Sequence, residues 1–378
     1  MTPFVSPQIP TADYSRLERT IFNNQQVRSL STLVVGGGAL GNEVVRIPGL
    51  LGVARVLIVD PDIVEVSNLP RSFFFWSGDA VGRAKVSGLV EALTNHFPAT
   101  HWEGLQCEIA DVGLARIAKA DILFSCVDND LARLEIAYIS TKLDIAVADG
   151  GLGTKNYSHG RMSYFPGAKG ACYGCLLSPQ KRRELLQSWQ ATLRPCTGGE
   201  ASVDEVLSST PTMASVVAAM QVELGLRYLF EDRSQTTVES RSLEVRLHPT
   251  ASMTEYRTRV SESCPFHECT EGELIESSDP QATIEEVLNQ AAADFLVLDW
   301  PICTKAECLS CHHQWLPMQR LAAIRRRGHC PACGSGNLLE LETVRTIGRD
   351  SRFLRLRPQA LGLPIDHLFT LRKGSIRQ

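Results

Sequence analysis

The sequence predicts an α/β protein, a doubly wound and mostly parallel sheet followed by a small C-terminal zinc ribbon. Three observations carry this. Short apolar runs alternate with helix-length segments through residues 32–148, the pattern of strands buried on both faces with helices crossing over them. A glycine-rich turn, VVGGGALGNEVV at 34–45, joins the first run to the first helix. Near the C-terminus Cys308, Cys311, Cys330 and Cys333 read C-x2-C-x18-C-x2-C, the spacing of a closed tetrahedral zinc site.

The elements follow in order. Residues 1–12 hold three prolines and read as a loose arm. Asp13 to Leu30 reads as a helix, with Asp13 at its N-cap and Leu17, Ile21 and Val27 on one face. Strands are predicted at 32–35, 55–59, 122–126 and 145–148, and helices at 39–51 and 80–95. After Asp149 a glycine-rich, strand-like stretch runs to Gly170, and 180–205 is polar. Thr212 to Phe230 is the most apolar helix; Gln221, Glu223 and Arg227 mark it as packed in a core. Residues 241–247 and 254–260 alternate as a hairpin does. Residues 270–280 read as a linker. Beyond it come a helix at 284–292, a strand at 295–299 and the cysteine module. The expected units are an arm and helix over 1–30, a nucleotide-binding domain over 31–270 and a C-terminal module over 271–378, its ribbon at 300–345.

The chain of 378 residues is long enough for two or three domains. Its net charge of -4 gives no pull toward nucleic acid or anionic membrane. No basic-then-apolar leader and no stretch of about 18 apolar residues is present, so a cytoplasmic protein is expected. Twelve cysteines without an export signal favour metal over disulfides.

Gly36, Gly38 and Gly41 fit G-x-G-x-x-G at a strand-to-helix turn. There the backbone approaches a phosphate closely and the helix presents its positive end. Asp60, ending the second strand, can accept from ribose hydroxyls, which alone would suit a nicotinamide dehydrogenase equally. Arg71, Lys85 and Asp128 discriminate. Two cations within reach of a triphosphate and a carboxylate for Mg²⁺ are needed by phosphoryl chemistry and not by hydride transfer. ATP is therefore the expected nucleotide.

The text GGGALG, VDPDIVEVSNLPR, VGRAK, SCVDND, CYGC at 172–175, MASVVAAMQVELGLRYL and CPFH at 264–267 resembles the ThiF/MoeB/HesA family, the superfamily of ubiquitin-activating enzymes, over residues 13–268. The resemblance implies a Rossmann-like adenylation domain. In it Asp60 holds ribose, Asn68, Arg71 and Lys85 hold phosphates, and Asp128, beside Asn129, binds Mg²⁺. Ser72 stands where the family has glutamine. Arg16, in DYSRLER, resembles the family's N-terminal arginine that reaches the partner subunit's ATP, with Asp13 in place of the first arginine; otherwise it is a surface residue. Cys196, in LRPCTGGEA, lies where the family carries its acceptor cysteine, with Arg194 near to lower its pKa. Cys172 and Cys175 would share Zn²⁺ with Cys264 and His267, Cys269 competing for the fourth place. Cys107, Cys126 and Cys303 read as packed, and His312 and His313 as exposed bystanders. Arg325 to Arg327 reads as a solvated face.

The implied activity is adenylation of the C-terminal carboxylate of a ubiquitin-like protein ending in glycine, then thioester formation on Cys196. A homodimer and a conjugating enzyme are the further partners implied, and no nucleic acid or membrane. The alternatives are adenylation of a sulfur carrier or peptide without a thioester, and a zinc-ribbon adaptor on a non-catalytic nucleotide fold. Bacterial chains with such a ribbon resemble the activating enzymes of conjugation operons linked to antiphage defence.

Overall fold

The structure is a computed structural model. It describes residues 13–17, 24–76, 79–153, 158–190, 210–232, 239–267, 272–277, 279 and 281–374.

An eight-stranded sheet organises the first two thirds of the chain. Its parallel half comprises β1 (Ser31–Val35), β2 (Arg55–Val59), β3 (His101–Leu105), β4 (Ile122–Ser125) and β5 (Ala146–Leu152). The antiparallel half adds β6 (His159–Phe165), β7 (Ser240–Arg246) and β8 (Ser252–Thr258). The order is β3-β2-β1-β4-β5-β6-β7-β8. β1 therefore has β2 on one side and β4 on the other, and the chain reverses its winding there. The crevice outside the carboxyl ends of β1 and β4 is the place such sheets hold ligands.

The helices are α1 (Asn24–Ser29), α2 (Ala39–Leu51), α3 (Lys85–His96), α4 (Leu114–Ile117), α5 (Asp130–Leu143), α6 (Tyr173–Leu176), α7 (Pro179–Gln190) and α8 (Pro211–Asp232). α2 ends at Gly52, whose φ of 70° suits glycine and whose N–H closes on Pro48 and Gly49. α3 begins five residues later than its apolar pattern suggests. Gly82 at φ 88° and the extended Ala84 hold 80–84 out of the helix. α5 is capped by Asn129, whose side chain accepts from the Ala132 N–H at 2.8 Å. α8 is long and apolar enough to cross a bilayer. Here Met213, Ala214, Val217, Ala218, Val222 and Leu226 are buried in the sheet's core. Of the helix expected over 13–30, the structure shows a turn at 14–17 and α1.

The C-terminal module is antiparallel. It contains β9 (Glu273–Glu276), α9 (Ile284–Gln290), β10 (Phe295–Cys308), β11 (Gln314–Trp315), β12 (Gln319–Arg320), α10 (Leu321–Arg327), β13 (Leu338–Gly348) and β14 (Leu368–Arg372). The stretch read as a linker over 270–280 carries β9, which pairs with β14 from Leu371↔Glu273 to Leu368↔Glu276. Its alternation was hidden by flanking serine, aspartate and glutamate. The strand expected at 295–299 runs on to Cys308 and pairs along most of its length with β13.

This module is not an appendage. Trp300 and Leu368 pack into the same apolar cluster as Leu134, Ile136 and Ile139 of α5. Tyr138 meets Trp300 edge-on at 5.2 Å. The Ala115 N–H donates to the Asp366 carbonyl at 2.9 Å. Lys142 and Tyr138 both donate to Asp299, which also binds His367 at 3.1 Å. Arg320 donates to Asp111 and, at 2.6 Å, to Glu108, and its other nitrogen lies 3.8 Å from Glu135. Arg326 joins the same group, 3.1 Å from Glu135, while Arg325 binds Glu340 at 2.9 Å. The arginine run read as a solvated face is thus corrected: two of its members are spent on carboxylates.

Candidate active site

The glycines divide their work by position. Gly36 has φ 98°, and a Cβ there would lie 2.7 Å from the Cys126 carbonyl oxygen of β4's end. At Gly41 a Cβ would stand 1.9 Å from the Gly36 carbonyl oxygen, so the first helical turn rests directly on the strand-end turn. A Cβ at Gly38 would meet nothing within 4 Å. Two glycines serve the fold of the turn; the third leaves its open side clear, the cradle a phosphate needs.

Asp60 is 5% exposed, and both its oxygens are engaged. One accepts from the Gly37 N–H at 2.6 Å, the other from the Asp62 N–H at 2.8 Å. Burial pushes this carboxyl up, against the opposing charge of Lys85. Its first task is to lock the glycine turn to the β2 end. Asn68 is also structural in part. Its oxygen accepts from the Glu65 N–H at 2.9 Å, closing the turn that carries Arg71. Lys85 begins α3, is 12% exposed, and pairs with Asp62 at 3.1 Å. Asn42 fastens the turn from the helix side, donating to the Gly37 carbonyl and accepting from the Phe74 N–H.

Asp128 and Asn129 are exposed on the loop leaving β4, the strand beside β1. The glycine turn, the Lys85 segment and Asp128 therefore follow the carboxyl ends of three neighbouring parallel strands, β1, β2 and β4. Behind Asp128 lies a polar cluster that the sequence reading missed. Asp149 of β5 is 2% exposed; it accepts from the Ser125 hydroxyl at 2.7 Å and from Arg133 Nε at 3.1 Å. Arg133 also donates to the Val127 and Gly150 carbonyls at 2.6 and 3.1 Å, tying the Asp128 loop to β5. Tyr173 carries the guanidiniums of Arg133 and Arg161 near its ring and donates to Asp130 at 2.7 Å. The only signal in the sequence was a lone aspartate in the apolar run AVADGG.

Arg16 is exposed, and its neighbour Tyr14 packs on Gly52. That is the far end of α2 from the glycine turn, about 20 Å along a helix of this length. The arginine is not brought to its own chain's site. Cys196, Arg194 and Cys269 lie outside the described residues. Cys126 and Cys303 are buried, as expected of packed thiols, and Cys107 is half-buried with its thiol pushed up to about 11, first by burial. His312 is exposed, and His313 stacks on Trp315.

Both cysteine sets converge. Cys172 Sγ is 3.6 Å from Cys264 and 3.9 Å from Cys175, whose sulfur is 3.3 Å from His267 Nε2. Cys308 and Cys333, and Cys311 and Cys330, are 3.6 Å apart. Ligands at about 2.3 Å around a tetrahedral Zn²⁺ stand roughly 3.8 Å from one another. Each set could hold one zinc ion, and the ligand atoms of each lie within 4.8 Å of one another. With zinc bound, the first would staple α6 to the segment after β8 and the second would close the ribbon.

The model of the ThiF family matches residues 14–270. The chain belongs to the ThiF family. It is similar to ubiquitin-like modifier-activating enzyme 5 of Bombyx mori, 26% identical over 279 residues, covering 68% of this chain and 67% of that one. The same enzyme of Dictyostelium discoideum is 25% identical over 252 residues, covering 60% and 61%. The chain is also similar to the adenylyltransferase and sulfurtransferase UBA4 of Eremothecium gossypii, 30% identical over 178 residues, covering 46% and 39%. The chain thus spans about two thirds or less of the length of these relatives. Among solved structures, Escherichia coli MccB with ATP aligns with a TM-score of 0.47 at 16% identity, covering 64% of this chain and 68% of that one. The relatives of this ThiF protein are activating and adenylating enzymes.

Proposed function

We propose that this ThiF protein uses ATP to adenylate the C-terminal carboxylate of a ubiquitin-like protein ending in glycine and then takes the acyl group onto Cys196. The observation that carries the reading is that the open glycine turn, the Lys85 segment and Asp128 all follow the carboxyl ends of the neighbouring strands β1, β2 and β4. An ionised carboxylate needs no general base. Its oxygen attacks the α-phosphorus of ATP, the bond to the bridging oxygen breaks, and pyrophosphate leaves with its charge neutralised by Arg71 and Lys85. Asn68 and Asp60 hold the segments that carry those cations, and Asp60 and Asn129 line the nucleotide's side. Asp128 would hold Mg²⁺, which when bound shields the phosphate charge. The Cys196 thiolate then attacks the activated carbonyl and AMP departs. A homodimer lets Arg16 of one protomer reach its partner's nucleotide. The two cysteine sets hold zinc as structural staples.

ATP–pyrophosphate exchange tests the first step. Asp128→Ala should lower the exchange rate by about 10² or more while the thermal midpoint stays put; an exchange rate near wild type would refute the role. A gel without reductant, run with the ubiquitin-like protein and ATP, tests the second. Cys196→Ala should keep exchange and lose the adduct. Exchange by the wild type without any adduct would favour adenylation of a sulfur carrier or peptide without a thioester; the UBA4 relative is named an adenylyltransferase and sulfurtransferase.

A further inference from the structure

Three contacts hold the loop of Asp128, and one of them comes from the first cysteine set. Asp128 itself has one hydrogen bond among the described residues, from the Asn129 amide at 3.4 Å. Its aim therefore depends on its neighbours. Arg133 holds the Val127 carbonyl at 2.6 Å, and the Asn129 side chain caps α5. Asp130, the first residue of α5, accepts from the Tyr173 hydroxyl at 2.7 Å.

Tyr173 stands between Cys172 and Cys175 of that set and is 5% exposed. The turn that carries it is fixed from two sides. The Cys175 N–H donates to the Cys172 carbonyl at 2.9 Å. Arg182 of α7, itself buried, donates to the Gly174 carbonyl at 2.9 Å and to the Ser263 hydroxyl at 2.6 Å. The ring lies near the Arg133 guanidinium, 5.8 Å from its centroid. A phenol so held is a fixed donor, and its bond to a carboxylate is stronger than one between neutral groups. An acidic residue in a first helical turn stabilises the helix by charge alone. That task needs no tyrosine, and the Lys181 ammonium, 3.6 Å from the other Asp130 oxygen, is half-exposed and screened.

We propose that Tyr173 is a positioning residue for the nucleotide: through Asp130 it sets the loop from which Asp128 meets Mg²⁺ and the phosphates. This role rests on the adenylation reading and adds to it a route from the cysteine turn to the nucleotide. The residue between the two cysteines aims the loop, while the cysteines themselves join segments of the scaffold.

The test is calorimetric titration of the full chain with ATP, with and without added Mg²⁺. Tyr173→Phe removes one oxygen and keeps the ring. It should weaken ATP binding in Mg²⁺ by about tenfold, as losing a hydrogen bond to a charged group does. Binding without Mg²⁺, the thermal midpoint and the metal content should stay at wild-type values. Asp130→Ala should lose the same factor, and the double variant no more than either, since each removes the same contact. Should Tyr173→Phe lower the midpoint, Asp130→Ala, whose carboxylate is partly exposed, gives the same reading. Wild-type affinity in both single variants overturns the proposal, as do additive losses in the double variant. A loss of equal size with and without Mg²⁺ also overturns it, by marking a purely structural role. A wild type that binds ATP equally well with and without Mg²⁺ overturns the positioning role alone. A wild type that does not bind ATP overturns the adenylation reading itself.

Discussion

Two glycines three residues apart predict opposite outcomes for the same methyl group. Gly41→Ala pushes a Cβ into the Gly36 carbonyl, 1.9 Å away. The turn must move, at a cost of about 1–3 kcal/mol, and a lowered denaturation midpoint should report it. Gly38→Ala meets nothing within 4 Å. Its midpoint should match wild type while its affinity for ATP falls, as measured by calorimetric titration; an unchanged affinity would put the phosphates elsewhere. The sequence could reveal that the glycines form a nucleotide turn, since their spacing follows from backbone geometry. It could not reveal that Asp60 spends one oxygen on the Gly37 N–H, because that partner is set by how β2 lies against β1, while the Asp62 N–H on its other oxygen is a local turn contact. Nor could it single out Arg133 and Asp149, which lie sixteen residues apart and meet only through the pairing of β4 with β5.

The helix α5 links chemistry to scaffold. Its cap carries Asn129 next to Asp128, and its later turns carry Glu135, Tyr138 and Lys142, all bound by the C-terminal module. Glu135 is 1% exposed, and burial pushes its carboxyl up against the pull of Arg320 and Arg326. Arg320→Met should therefore cost about 3–5 kcal/mol in denaturant unfolding, since it strands a buried carboxylate. Adding Glu135→Gln should recover part of it. Asp299 carries a pH dependence. Burial raises its carboxyl, but the His367 hydrogen bond and the Lys142 charge outweigh this and hold it at about 2. The folded value lies below the unfolded one of about 3.9. The stabilisation is therefore full above that pH and lost as pH falls through about 2. The stability gap between wild type and Asp299→Asn should be constant from neutral pH to about pH 5 and shrink below about pH 4. A gap that widens on acidification would reverse the sign. None of this docking was legible in the sequence. An arginine run has the same composition whether it faces water or carboxylates, and the two that Arg326 meets, Glu108 and Glu135, come from more than 180 positions away.

Over the whole molecule, metal should behave as two separable staples. Elemental analysis should find two zinc equivalents per chain. Cys308→Ser should remove one and loosen the ribbon, as four-ligand modules depend on their ion; Cys172→Ser should remove the other and loosen the join between α6 and the segment after β8. Loss of both ions from one substitution would mean the sites are not independent. The ribbon was readable because all four ligands lie in one short span, and the mixed set was readable only through resemblance, its halves being separated by 92 positions. The same separation governs how the chain can change over time. Trp300, Leu368, Asp299 and Arg320 complete a surface whose other half is Leu134, Glu135, Tyr138 and Lys142. Neither half can drift alone without burying an unpaired charge or opening a gap. In a deep alignment of its kin, positions 135, 138 and 142 should covary with 320, 300 and 299, and chains that have shed the tail should carry polar residues along that side of the helix.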